Sequence, residues 1–162
     1  MEIHTRTASI ADTEAICTVL RRSITECCAA DHRGEPRLID AWLRNKTAPN
    51  VTAWIASPGQ FCVVALVANE VVGFGMAEGD QVLLCYVLPE IRFKGAGRVL
   101  LQAMELHAVQ QGITPLRLES TRTALAFYRR NGFSPSGPAI SVFGLEGQPM
   151  LKQMVTTAMV QA

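Results

Sequence analysis

Apolar and polar positions change period along this chain, and each change predicts an element. The opening "EIHTRTA" alternates and predicts a first strand. Next, Ala15, Ile16, Val19, Leu20 and Ile24 recur at helical spacing. Ser9, with Asp12 three residues on, supplies a capping-box start. The pattern predicts a helix to about Ala30, ended by "DHRGEP". "RLIDAWLRNK" and "PNVTAWIAS" predict two short helices, the second with Pro49 in its first turn.

The period then shortens. "QFCVVALVA", "VVGFGMAE" and "QVLLCYVLP" read as strands joined by the tight turns "NE" and "GD", an antiparallel meander. "GRVLLQAMELHAVQQG" is helical: Leu100, Met104 and Ala108 share a face, and Gly112 stops it. "PLRLES" predicts another strand and "TALAFYRRNG" a helix stopped at Asn131-Gly132. "FSPSG" and "SVFGLEGQPMLKQMV" supply one or two closing strands. A long helix between "QVLLCYVLP" and "PLRLES" makes a crossover, which requires those strands to be parallel neighbours. The expectation is α/β: one domain over residues 1–162, with a mixed, mostly antiparallel sheet of six to seven strands and flanking helices.

Composition narrows the function. A chain of 162 residues with 49% hydrophobic and 18% charged residues has enough material for one packed core. Its net charge of +1 gives no reason to expect nucleic acid or an anionic membrane as partner. "FCVVALVANEVVGFGM" is interrupted by Asn69 and Glu70, so no membrane span is expected. No export signal is read at the N-terminus, and five cysteines without C-x-x-C spacing read as reduced thiols of a cytoplasmic protein. Cys27, Cys28 and His32 lack a four-ligand spacing, and no metal is expected.

The chemistry concentrates at "RFKGAG", between the third meander strand and the long helix. A helix N-terminus has unpaired N–H groups and a partial positive charge. Glycine permits positive φ and close approach of a ligand to the backbone. Arg92, Lys94 and Arg98 oppose the helix dipole there, and a bound pyrophosphate accounts for them. A Rossmann fingerprint fails, since Leu100 stands where the third glycine belongs, and a Walker A loop is absent.

"VLPEIRFKGAGRVLL" resembles the acetyl-CoA-binding signature of the GCN5-related N-acetyltransferase superfamily, V-x-P-x-x-[RQ]-x-x-G-x-[GA], filled by Val87, Pro89, Arg92, Gly95 and Gly97. "TALAFYRRNGF" resembles the family's A-x-x-x-Y-x-x-x-G-F segment through Ala124, Tyr128, Gly132 and Phe133. The resemblance implies acetyl-CoA as cosubstrate and a splayed fourth and fifth strand. It implies that the pyrophosphate meets the backbone of Phe93, Lys94, Gly95, Ala96, Gly97 and Arg98. Cys85, Tyr86 and Val87 would pair with the pantetheine arm, and Thr121 would take a coenzyme-contacting position often held by Asn. Tyr128 is implied as the acid that protonates the departing thiolate. Glu119, at the end of "LRLES", is the candidate base; the acid that many members carry on the fourth strand is missing from Gln81–Leu88.

Glu26, Asp31 and His32 in "ECCAADHRGEP" are candidates for binding the acceptor, and Trp42 lies in the region expected to roof it. The acceptor is expected to be a small-molecule or peptide amine. A non-catalytic acyl-CoA-binding module of the same fold is the alternative, and the apolar closing segment leaves a homodimer open.

Overall fold

In the computed structural model, which describes residues 1–155, the chain alternates between the two faces of one twisted sheet. β1 (His4–Thr7) leads through a short 3-10 turn into α1 (Thr13–Cys27), α2 (Ala29–His32), α3 (Pro36–Leu43) and α4 (Ala48–Ala56). The meander β2 (Gln60–Val67), β3 (Glu70–Glu78) and β4 (Gln81–Val87) follows, then α5 (Ala96–Gln110), β5 (Pro115–Ser120) and α6 (Leu125–Arg130). Three closing strands complete the chain: β6 (Ser134–Pro135), β7 (Ile140–Val142) and β8 (Leu145–Gln153). The sheet order is β1-β2-β3-β4-β5-β8-β6, with β7 pairing β8 beside this path. β4 and β5 are parallel, as the crossover requires, and the other pairs are antiparallel.

Eight strands form where six to seven were expected, because the closing segment makes three strands. β8 takes the long register, Gln148–Gln153 against all of β5. The two-residue β6 and three-residue β7 are too short to announce themselves by alternation.

The capping box forms: the Ser9 N–H donates to Asp12 Oδ2 at 2.8 Å. The same carboxylate accepts two bonds from Arg6, at 2.7 and 3.0 Å, which ties β1 to the start of α1. α1 ends at Cys27, short of the predicted Ala30, and the chain restarts as α2 after a break at Cys28 (φ −106°, ψ 31°). The break turns Asp31 toward the β5–α6 segment, where its carboxylate accepts from the Arg122 N–H (2.7 Å), the Thr123 N–H (3.2 Å) and Thr123 Oγ1 (2.5 Å).

Alternation along β2 builds two cores. Val63 and Ala65 face α5, against Leu100, Leu101 and Met104. Cys62, Val64 and Leu66 face the helices of the N-terminal half, with Ile16, Leu20, Val51 and Phe74. Phe74, Ile16, Leu20, Leu100 and Leu101 are fully buried, and each such side chain contributes about 1.5–3 kcal/mol by leaving water. These two layers hold β4 rigidly from both sides, with Cys85 and Val87 packing on the α5 layer and Leu84 and Tyr86 on the other.

Candidate active site

β4 and β5 pair at only two positions, Gln81 with Arg117 and Val82 with Leu118. β4 stays paired with β3 as far as Val87, so the edge that would meet β5 lies open over the rest of its length. Strand edges left unpaired in this way offer donors and acceptors to an extended ligand. A cavity of about 490 Å³ fills the opening.

Cys85, Tyr86 and Val87 form one wall and the N-terminal end of α5 the next, with Arg92, Phe93, Gly95, Gly97 and Arg98. Here the backbone is ready for an anion. The N–H groups of Phe93 through Arg98 have no backbone partner among the described residues, and Val99 is the first to donate, to the Gly95 carbonyl at 3.1 Å. Phe93 (φ 64°) and Gly95 (φ 97°) are left-handed. Mixed right- and left-handed conformations of this kind form anion-binding concavities. Phe93 is 88% exposed, and the Arg92 guanidinium lies 4.7 Å from its ring centre. The residues present thus fit a pyrophosphate: unpaired N–H donors, a helix N-terminus and the cations Arg92 and Arg98. Lys94 is exposed and Ala96 is buried, and neither lines the cavity.

The two glycines have different reasons to be glycine. At Gly95 an added Cβ would meet open space, and the demand is the positive φ. Gly97 has no positive φ; a Cβ there would stand 3.2 Å from Phe127 Cζ. Its smallness lets α6 close on α5, a role the sequence reading did not anticipate when it assigned both glycines to ligand approach.

Opposite lie Glu119 at the end of β5, Thr121, and Tyr128 on α6. Thr121 lines the cavity while its Oγ1 accepts from the Ala124 N–H at 3.1 Å, which starts α6. Tyr128 is buried between Phe127 and Phe133, with ring centres 5.1 and 5.7 Å away. Its phenol faces the Cys85 thiol across the floor, and that thiol points at the Gly97 carbonyl, 3.8 Å away. Polar groups of α6, β4 and α5 therefore meet at the floor. Burial first, then the facing Cys85 and Tyr86, push the Tyr128 phenol well above its ordinary range. Burial also pushes the Cys85 thiol up to about 12, against the opposing hydrogen bond from Tyr128. Both groups keep their protons at neutral pH.

The remaining wall is the end of α1. Ser23 and Cys27, one helical turn apart, line it with Cys28, whose thiol is raised to about 12 by burial, then by Asp31 and Cys27. None of Glu26, Asp31 and His32 lines the cavity. Glu26 pairs with Arg22, which also holds Glu90. Asp31 is spent on the backbone of Arg122 and Thr123. His32 is buried, one ring nitrogen against the Ile24 carbonyl (2.9 Å) and the other accepting from the Gly34 N–H (3.0 Å). Trp42 packs edge-on to His32. These side chains build the wall from behind. The cavity residues missed in the sequence include Ser23, Cys27, Cys28, Phe127, Arg130 and Asn131. The pair Arg129-Arg130 directly after Tyr128 was a usable signal for one of them; Ser23 and Cys27 were visible only as an i, i+4 pair.

Among the described residues, no group of three His, Cys, Asp or Glu side chains is placed to hold a metal ion, and no helix is long and apolar enough to cross a membrane.

An opened parallel strand pair thus stands beside a helix N-terminus whose first N–H groups have no backbone partner among the described residues, and the comparisons with known proteins bear on that architecture. The acetyltransferase (GNAT) domain matches residues 31–154. The chain belongs to that family of acetyltransferases, and membership implies acetyl-CoA as the donor. No curated protein matches the sequence. Among solved structures, a GCN5-related N-acetyltransferase from Rhodopseudomonas palustris superposes with a TM-score of 0.85 at 22% identity, over 95% of this chain and 97% of that one. The PaiA N-acetyltransferase of Thermoplasma acidophilum, in complex with coenzyme A, gives 0.80 at 23% identity, over 94% and 99%. Ard1 from Thermoplasma volcanium gives 0.74 at 19%, over 96% and 99%. At these identities the structures share the fold with this chain.

Proposed function

We propose that the protein transfers the acetyl group of acetyl-CoA to a primary amine by direct attack on the thioester. The observation that carries this reading is one cavity with two chemically distinct groups on it: a buried, protonated Tyr128 hydroxyl and an exposed Glu119 carboxylate. Bound acetyl-CoA would supply an acetyl group activated as a thioester. The free N–H groups of Phe93–Arg98, with Arg92 and Arg98, hold the pyrophosphate. The open edge at Cys85–Val87 aligns the pantetheine arm as an added strand would, and a backbone N–H near Val87 polarises the carbonyl.

Glu119 takes a proton from the acceptor ammonium, directly or through water, and so frees the lone pair that attacks. As the N–C bond forms and the C–S bond breaks, Tyr128 gives its proton to the departing sulfur. The amide nitrogen loses its second proton to solvent, so that an ammonium and a thioester yield an amide, a thiol and one released proton. A phenol held above its ordinary range is a weak resting acid; it transfers its proton only when a thiolate develops beside it, and the proton that Glu119 took from the acceptor restores it through solvent. A sulfur atom, that of Cys85, already faces the Tyr128 phenol in this cavity, which supports this role.

A thiol-release assay with acetyl-CoA against amines tests the proposal. Release that depends on an amine supports it. Coenzyme A binding without release to any of polyamines, amino acids, aminoglycosides and peptide N-termini contradicts it, and returns weight to a non-catalytic acyl-CoA-binding module.

A further inference from the structure

The acids around the cavity mouth are nearly all neutralised. Arg22 holds Glu26 at 2.9 Å and Glu90 at 2.9 Å. Arg122 holds Glu146 at 2.7 Å. Asp31 is buried and committed to the backbone of Arg122 and Thr123. Glu119 differs. It is the one carboxylate among the lining residues, it is exposed, and no hydrogen bond or ion pair reaches it among the described residues. Its side chain lies over Gly147 of β8, where an added Cβ would stand 3.4 Å from both Glu119 Cβ and Oε2. A larger residue at 147 would crowd it; glycine keeps the carboxylate clear.

The opposite wall is uncharged. Ser23, Cys27 and Cys28 face the cavity from the end of α1, and Ile91 and Tyr86 adjoin them. The other charges on the lining are cationic: Arg92, Arg98 and Arg130. With Arg92 and Arg98 taken up by the coenzyme phosphates, the cavity offers an ammonium one carboxylate, Glu119, and leaves Arg130 to oppose a second charge.

We infer that the acceptor is a singly charged amine with a neutral body next to the amino group, and that polyamines and other polycations are discriminated against. This rests on the proposed acetyl transfer only in placing the acceptor at Glu119. The selectivity itself is a binding property. A site for a polycation needs several unpaired carboxylates, whereas here the flanking acids are locked in ion pairs and their arginines screen the mouth. The volume argues the same way: a cavity of about 490 Å³ must also admit the coenzyme arm, which leaves room for the amino-bearing end of an acceptor.

Hexylamine and 1,6-diaminohexane share a chain length and differ by one charge, which makes them the discriminating probes. Calorimetric titration of each into the coenzyme-A-saturated protein is expected to give at least about five-fold tighter binding of hexylamine. The order should persist when salt is raised. The variant Cys27→Asp puts a second carboxylate on the neutral wall and should shift the ratio by about ten-fold toward the diamine. Equal or tighter binding of the diamine by the unaltered protein overturns the inference, as does failure to bind either amine. Binding in the expected order without thiol release from acetyl-CoA leaves the inference standing and sinks the proposed transfer, so the two fail separately.

Discussion

The α5 end of the cavity and its α1 end are built on different terms. At the α5 end the backbone faces the ligand: unpaired N–H groups, two left-handed residues and an open strand edge, all within residues 85–98. At the α1 end side chains face the ligand, and their positions depend on partners far away in sequence. Asp31 anchors the turn at residues 122–123, and Arg22 clamps Glu90. Backbone recognition tolerates few residue types and leaves a short local signature. Side-chain walls can be assembled from many sequences. A family can therefore keep one donor site and vary the acceptor wall.

Substitutions at each end test the contrast separately. The largest effect is expected at Tyr128, where the two ends meet. Tyr128→Phe keeps the ring between Phe127 and Phe133 and removes the hydroxyl. Turnover should fall by about 10- to 1,000-fold, with coenzyme affinity within a few-fold of the unaltered protein. Unchanged kcat would remove the acid from the mechanism. Because the phenol is held above its ordinary range, no alkaline loss of activity below about pH 10 should trace to it.

Asp31→Ala probes the α1 end. It leaves the Arg122 and Thr123 N–H groups without their acceptor, at a cost of about 2–4 kcal/mol. The cost should appear as a lower urea midpoint at unchanged m-value. A neutral result would mean that water replaces the carboxylate and that the break at Cys28 has another cause.

Gly95→Val and Gly97→Val separate the two glycines. Valine at 95 meets left-handed backbone strain of about 1–2 kcal/mol in the turn that would hold the pyrophosphate, so coenzyme affinity should fall by about 5- to 30-fold. Valine at 97 presses on Phe127 and should cost fold stability as well as affinity. Identical behaviour of the two would erase the distinction.

The smallest effect lies outside the cavity. Arg6 holds Asp12 below the usual carboxylate range. A depressed carboxylate adds stability that is present above its unfolded value near pH 4 and is lost as pH falls through the lower folded value. Arg6 is 46% exposed, and solvent screening limits the gain to about 0.5–1 kcal/mol. Arg6→Gln should flatten the acid limb of stability by that amount and leave coenzyme affinity alone.

The same contrast explains what could be read in the sequence. The meander, the crossover helix and the Arg92–Gly97 turn are local, and hydrophobic period and glycine placement announce them. The parallel β4–β5 pair followed from chain connectivity alone. The break of α1 at Cys28 was hidden, because its cause is Asp31 bonding to residues about ninety positions away. For the same reason Asp31 and His32 read as available polar groups, although the fold consumes them. Gly97 lines the cavity as expected, but its second constraint, the contact with Phe127, was hidden because that ring arrives from another helix. The short β6 and β7 escaped notice because two or three residues carry no period.

The proposed seat of the coenzyme is the opening between β4 and β5 with the turn before α5. Hydrogen exchange with and without coenzyme A tests it most directly. Protection should be gained along the free edge of Cys85–Val87 and at Phe93–Arg98, the latter without a backbone partner among the described residues, with little change in the β7–β8 hairpin. Protection confined to other segments, or none at saturating coenzyme, would contradict it.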